Sequence, residues 1–239
     1  MKVTYIQHSG FLVETGVCYY LFDYEKGSLP ALDKSKPIYV LSSHGHGDHY
    51  NPQVFTLLQG MEKLQAVLSE DIPVPEGIST LQVAPGKVYT LEQGQTLTTF
   101  LSTDLGVAFL LEEEGKCIYH AGDLNDWVWE EESDDYNTRM TASYRQQIDL
   151  LAAALAGREL ELAFVVLDPR QEADYHRGMC YFLEQIPAKR VYPMHDWGKH
   201  EIIDTFLREY PEYRHQIQKT QSNSAARGKE VNYEIQDGS

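Results

Sequence analysis

The sequence predicts an α/β fold in which two mixed sheets lie between helix layers. Three observations predict it. Short β-branched and aromatic runs fill the first half of the chain, the pattern of buried strands. In the second half such runs alternate with helical stretches. No Pro-, Gly- or Ser-rich linker interrupts the 239 residues. Candidate site residues are spread from position 44 to position 195, so one domain over 1–239 is expected.

The elements follow in order. Strands are expected near 2–7, 10–14 and 17–23, with Glu14-Thr15-Gly16 as the hairpin turn between the last two. A buried strand over 37–42 comes next, and a helix starts at Asn51 with Pro52 in its first position. Strands are then expected near 64–68, 87–91, 96–102, 106–112 and 116–120, the last two joined by a Glu113-Glu114-Gly115 turn. A long helix rich in Ala, Leu and Gln covers 138–156. A strand over 162–167 ends at Asp168, a helix runs near 177–185, a strand leads to Met194, and a helix covers 199–209. In the polar tail Val231, Tyr233 and Ile235 alternate with polar residues, the period of a short edge strand.

Behind the run Pro37-Ile38-Tyr39-Val40-Leu41-Ser42-Ser43 stands His44-Gly45-His46-Gly47-Asp48-His49. Three imidazoles and a carboxylate packed this closely repel when protonated and compete for too few partners when neutral. A metal ion resolves the conflict, because neutral imidazole and carboxylate are its natural ligands. The glycines let the backbone turn sharply enough to aim alternate side chains at one point.

His44-x-His46-x-Asp48-His49 resembles the signature of the metallo-β-lactamase fold hydrolases. That resemblance implies a four-layer αββα sandwich and further ligands at set places. Lys116-Cys117-Ile118-Tyr119-His120 runs into Ala121-Gly122-Asp123, and Asp123 resembles the acidic residue that bridges two metals. Arg190-Val191-Tyr192-Pro193-Met194 runs into His195, which resembles the last histidine ligand. His8-Ser9-Gly10-Phe11-Leu12 is similar to a stretch near the metal site of the ascorbate-6-phosphate-lactonase-like branch. One piece departs from the pattern: no histidine lies between His49 and His120. Asp104, ahead of Gly106 and a fresh apolar strand, stands where the missing ligand belongs. It reads either as the replacement ligand or as a turn residue.

By this resemblance His44, His46 and Asp104 hold one metal, Asp48, His49 and His195 the other, and Asp123 bridges them. Zinc is the first expectation, with manganese or iron as alternatives because Asp104 adds a hard oxygen ligand. Two such ions share a water and lower its pKa toward neutrality, giving a hydroxide nucleophile. Asp48 and Asp123 are therefore the catalytic carboxylates. Four more residues are candidates for substrate binding. His8 could orient substrate or a ligand, or be structural. Arg170 could hold an anionic group bidentately, or be a surface charge. His176 and Arg177 stand at a helix start and could line the pocket. Asp168 could hydrogen-bond a ligating imidazole. His120 could support the site or pack in the core, and Trp127 and Trp129 could wall the pocket or lie in the core. His200 and His215 read as surface residues.

Composition limits the function. The net charge of −16, with only 20 Lys and Arg, argues against a nucleic-acid substrate, which needs a basic groove. The acidic runs at 112–114 and 130–135 read as a solvated turn and a solvated helix start. No window approaches the roughly 20 apolar residues that span a bilayer, and Met1-Lys2-Val3-Thr4-Tyr5 enters a strand without a leader-like apolar core. Cys18, Cys117 and Cys180 show no disulfide or zinc-knuckle spacing. The expectation is a cytoplasmic, metal-dependent hydrolase of a small anionic metabolite, a lactone or a phosphate ester. A small molecule is the expected partner, with neither nucleic acid nor membrane, and homo-oligomerisation stays open. The alternatives are a phosphodiesterase, a di-iron oxidoreductase and a non-catalytic metal-binding protein.

Overall fold

The structure, a computed structural model, describes residues 1–220. The chain forms two compact units, the first ending at Val83 and the second running from Ala84 to Thr220. Each holds one six-stranded mixed sheet. The alternating residues at 231, 233 and 235 lie outside the described residues.

In the first unit the strands follow chain order: β1 (Lys2–Gln7), β2 (Gly10–Glu14), β3 (Tyr19–Phe22), β4 (Ile38–Ser42), β5 (Leu64–Ser69) and β6 (Thr80–Val83). β1, β2 and β3 are antiparallel, and β3 through β6 are parallel. Every residue of β3 and β4 is buried. Both faces of these strands are therefore covered, which is why they read as unbroken apolar runs. Leu12, Leu21 and Val40 pack on one face with Val54 and Leu58, at and beyond the short helix α1 (Gln53–Leu57). Each fully buried aliphatic side chain here contributes roughly 1.5–3 kcal/mol. Asn51 Oδ1 accepts from Gln53 N (3.0 Å), so the side chain ahead of Pro52 starts the turn.

The second unit has β7 (Val88–Thr90), β8 (Thr96–Leu101), β9 (Val107–Glu113) and β10 (Lys116–His120) as an antiparallel run. β11 (Leu160–Val166) and β12 (Val191–Met194) then extend the sheet in parallel. Its helices are α2 (Asp134–Leu155), α3 (Arg177–Gln185) and α4 (Glu201–Glu209). Two residues, Glu114 (φ 49°) and Gly115 (φ 76°), close the β9–β10 hairpin, the paired left-handed conformation that suits strand twist.

Among the departures from expectation, three have a local reason. β3 begins at Tyr19 rather than 17, because Thr15 Oγ1 accepts from Val17 N and Cys18 N (3.1 Å each) and lengthens the turn. α2 begins at Asp134 rather than 138, because Ser133 Oγ accepts from Tyr136 N (3.2 Å) and caps it. Asp134 and Asp135 then occupy the first turn, where the helix dipole favours negative charge. β6 was not expected at all: it has four residues, three of them only partly buried or exposed, too little pattern for a strand to show.

Candidate metal centre

Five strands, β3, β4, β10, β11 and β12, deliver chemistry at their C-terminal ends, where open α/β sheets place their sites. In the first unit β4 runs directly into the 44–49 loop. Asp23, immediately after β3, organises that loop from full burial. Its Oδ1 accepts from Ser43 N (2.7 Å) and its Oδ2 from Ser43 Oγ (2.7 Å). Its Oδ2 also lies 2.8 Å from His49 Nδ1. A carboxylate can only accept, so this contact puts the His49 proton on Nδ1 and leaves Nε2 as the ligand atom.

His8, Asp48 and His49 each bring one donor atom within 4.8 Å of the others. His8 Nε2 stands 3.5 Å from Asp48 Oδ2. The hydrogen bond from His8 holds the Asp48 carboxyl well below the usual range, against the opposing effect of burial. Asp48 is thus a standing anion at neutral pH. The rings of His44 and His46 are 4.6 Å apart, edge to face, with His44 buried and His46 exposed. Asp71 Oδ2 pins the loop by accepting from Gly45 N (2.7 Å).

His8 (φ 55°), Asp23 (φ 40°) and His195 (φ 65°) all take the left-handed backbone conformation. Such residues are sparse outside glycine, and they concentrate where surrounding structure holds a functional geometry. Next to His8, a side chain at Gly10 would meet Gln7 O at 2.9 Å, so the β1–β2 turn needs glycine there.

The second unit supplies Asp123 and His195, whose Oδ1 and Nε2 lie 3.3 Å apart. His195 Nδ1 is 2.9 Å from Asp168 Oδ2, which places the His195 proton on Nδ1 by the same reasoning as for His49. The Nε2 lone pair therefore faces a carboxylate oxygen, two acceptors in close opposition that a cation between them relieves. Burial works against ionisation of Asp168, yet hydrogen bonds from His195 and Arg170 hold its pKa at about 2. Arg170 binds Asp168 side-on, through Nε (2.9 Å) and Nη2 (2.6 Å) to Oδ2.

A cavity of about 230 Å³ opens here, and its lining includes Asp104, Asp123, Trp129, Arg170 and His195. Asp104 is exposed on this lining. The remaining sequence candidates sit elsewhere. Arg177 donates to Asp126 Oδ2 (3.3 Å) and Thr141 Oγ1 (3.2 Å) and pairs with Asp174 (3.6 Å). His176 stacks on Tyr210, centroids 5.3 Å apart. Neither belongs to the cavity lining. His120 is buried on Phe164, and its Nδ1 accepts from Gly122 N (3.1 Å), ordering the turn into Asp123. His200 pairs with Asp196, and His215 Nδ1 contacts Glu212 O (2.8 Å). Trp127 donates from Nε1 to Asp123 O (2.9 Å).

Sequence reasoning missed Asp23, Asn125 and Gln171. Asp23 carried one available signal, a lone acid at the end of a buried strand. Asn125 binds Thr103 through its backbone and Gln171 Oε1 through Nδ2 (2.7 Å), bracing the loop behind Asp123.

Residues 2–138 match the family described as Beta-lactamase superfamily domain. A UPF0173 metal-dependent hydrolase of Carboxydothermus hydrogenoformans is 30% identical over 147 residues, which are 52% of this chain and 62% of that protein. The chain thus spans about six-tenths of the length of that curated relative. Among solved structures, Igni18, a metallo hydrolase from the archaeon Ignicoccus hospitalis, is similar over 98% of this chain and 99% of its own, with 18% identity and a TM-score of 0.67. CmlA, a diiron β-hydroxylase from Streptomyces venezuelae, is similar over 92% of this chain and 52% of its own, with 11% identity and a TM-score of 0.58. With more than half its length matched by the family and the fold shared across these structures, the chain belongs to the metallo-β-lactamase superfamily.

Proposed function

We propose that the protein is a metal-dependent hydrolase of a small anionic metabolite, a lactone or a phosphate ester. The observation that carries this reading is the state of the imidazoles. Asp23 fixes His49, and Asp168 fixes His195, with Nδ1 protonated and Nε2 presented as a lone pair. Carboxylate–histidine pairs of this kind prepare metal ligands. The donor set of imidazole nitrogens and carboxylate oxygens suits zinc, and also manganese or iron. The resemblance to the family implies His44, His46, Asp48, His49, Asp123 and His195 as ligands, with Asp104 in place of the absent histidine. Divalent ions held by such ligands supply an activated water and stabilise charge on the attacked oxygen.

The chain's own groups constrain the rest. Asp48 is kept ionised by His8, so it can accept a proton or bind a cation but cannot serve as the acid at neutral pH. Arg170, on the cavity lining, is the cation that an anionic substrate would meet. The names of the Carboxydothermus and Ignicoccus proteins support hydrolysis. A resemblance at 8–12 supports the lactonase-like branch. Among the described residues no helix is long and apolar enough to cross a membrane.

Metal analysis and turnover test the reading together. The expected result is close to two divalent ions per chain in protein purified without chelator. Asp123→Ala should lower affinity at both sites and abolish ester and phosphodiester hydrolysis. Two bound irons without hydrolysis would favour redox chemistry. Asp123→Ala that binds two ions and turns over at the parent rate would refute the proposal.

A further inference from the structure

The cavity beside Asp123 and His195 has one cation on its lining, Arg170. The guanidinium has five N–H donors in a fixed plane. Its side-on pair is spent on Asp168, which is completely buried and also receives Trp197 Nε1 (3.2 Å). The end-on pair, Nη1–H with the second Nη2–H, meets no acceptor among the described residues. The side chain nevertheless stays 44% exposed. It also sits over two rings: its Cζ lies 4.4 Å from the centroid of Trp197 and 5.9 Å from that of Trp129. The result is a fork already oriented by one carboxylate, with its second edge available to another.

The walls add a shape. Trp127 and Trp129 lie parallel, 4° between planes and 5.8 Å between centroids. Tyr136 and Met140 also line the cavity. These surfaces favour a flat π-face over a branched or polar one. A volume of about 230 Å³ corresponds to roughly eight waters at liquid density, space for one ring and its substituents. Charge narrows the anion. Asp104 and Asp123 share the lining with Arg170, whose own charge is already paired with Asp168. The two carboxylates oppose any anion, and a second negative charge adds to that repulsion, so recognition rests on geometry: a planar carboxylate matches the fork bidentately.

We propose that this cavity is a substrate-recognition pocket for a flat, unsaturated ring bearing a carboxylate. The carboxylate docks on the end-on edge of Arg170, and the ring lies against Trp129. This deepens the hydrolase reading and rests on it for the bond that is cleaved. Arg170 and Trp129 are then the specificity-determining residues.

Binding to the purified full chain tests the proposal without turnover, read by tryptophan fluorescence and calorimetry. The probes are benzoate, cyclohexanecarboxylate, methyl benzoate and inorganic phosphate. Benzoate should bind saturably and at least tenfold tighter than each of the other three. Arg170→Gln should weaken benzoate tenfold or more, and Arg170→Lys should do the same, because charge without the fork is insufficient. Trp129→Leu leaves the Arg170–Asp168 pair in place and should also weaken benzoate while narrowing its advantage over cyclohexanecarboxylate. Methyl benzoate or phosphate binding as well as benzoate would overturn the proposal. So would benzoate affinity unchanged in Arg170→Gln, since the carboxylate would then be held elsewhere. Arg170-dependent benzoate binding without turnover of any ester would uphold the pocket and sink hydrolysis. Ester turnover without benzoate binding would do the reverse.

Discussion

Gly178, in the first turn of α3, packs against the loop that follows Asp123, and replacing it with alanine tests how tightly that loop is held. A Cβ built there falls 1.9 Å from Asn125 Oδ1, 3.1 Å from Asn125 Cγ and 3.2 Å from Asp126 N. Ordinary contact begins near 3.4 Å, so Asn125 must move by about 1.5 Å. Asn125 is 2% exposed and donates from Nδ2 to Gln171 Oε1 (2.7 Å). Turning the amide away breaks that bond in the interior, at about 1–3 kcal/mol. Overpacking adds about 1–3 kcal/mol, and the better helix propensity of alanine returns up to about 1 kcal/mol. The net is a loss of about 3 kcal/mol, or a Tm lower by roughly 6–12 °C for a chain of this size. The assay is thermal unfolding of four proteins: parent, Gly178→Ala, Asn125→Ala and the double variant. Removing the Asn125 side chain relieves the clash, so Gly178→Ala should cost much less in that background. A Tm for Gly178→Ala at or above the parent, or the same loss in both backgrounds, would refute the reasoning.

Other outcomes follow from contacts already described. Asp23→Asn should lower metal affinity about 10–100-fold, measured by chelator competition, because His49 loses the acceptor that fixes its tautomer; unchanged affinity would remove Asp23 from the site. Asp168 is depressed to about 2, so its stabilisation is fully present above the ordinary carboxylate pKa near 4 and is lost as pH falls from about 4 toward 2. Asp168→Asn should therefore be less stable than the parent at pH 7, with the Tm gap closing below about pH 4; a gap constant with pH would refute this. Burial, then the nearby Glu184, pushes the Cys180 thiol up to about 12, and burial also raises the Cys117 thiol. Both should react slowly with a disulfide reagent at pH 8 and quickly in denaturant; fast labelling of the native protein would contradict the packing around them.

The 44–49 loop is legible in the sequence because its chemistry is local: four ligand-type side chains in six residues, after an unmistakable buried strand. Asp123 and His195 become legible only beside that loop, since an isolated acid or histidine after a strand has many ordinary uses. Asp23 was not legible, because its partner His49 lies 26 residues away and a lone Asp after a strand resembles a turn. The same holds for Asn125 and Gln171, whose amides meet across 46 residues. Arg177 and His176 show a different limit. The sequence placed them at a helix start, where the structure has them, but not the direction each side chain takes. Arg177 turns to Asp126 and Thr141 instead of the cavity. β6 failed for want of length, and α2 starts earlier than 138 because the acidic run, read as a solvated helix start, contains the Ser133 cap and the first turn itself.

The left-handed backbone at positions 8, 23 and 195 separates two demands that usually coincide in mutagenesis. A β-branched residue at any of the three is opposed by sterics before its chemistry matters. Glycine satisfies the backbone at no steric cost and supplies no side chain. His195→Gly and His195→Val therefore form a matched pair. Both delete the imidazole, but only valine also resists the turn. The stability difference between them measures how firmly the fold imposes that conformation, and the activity they share measures what the imidazole contributes. The same pairing at 8 and 23 would map which strand ends are shaped for the ligand and which are shaped by the chain.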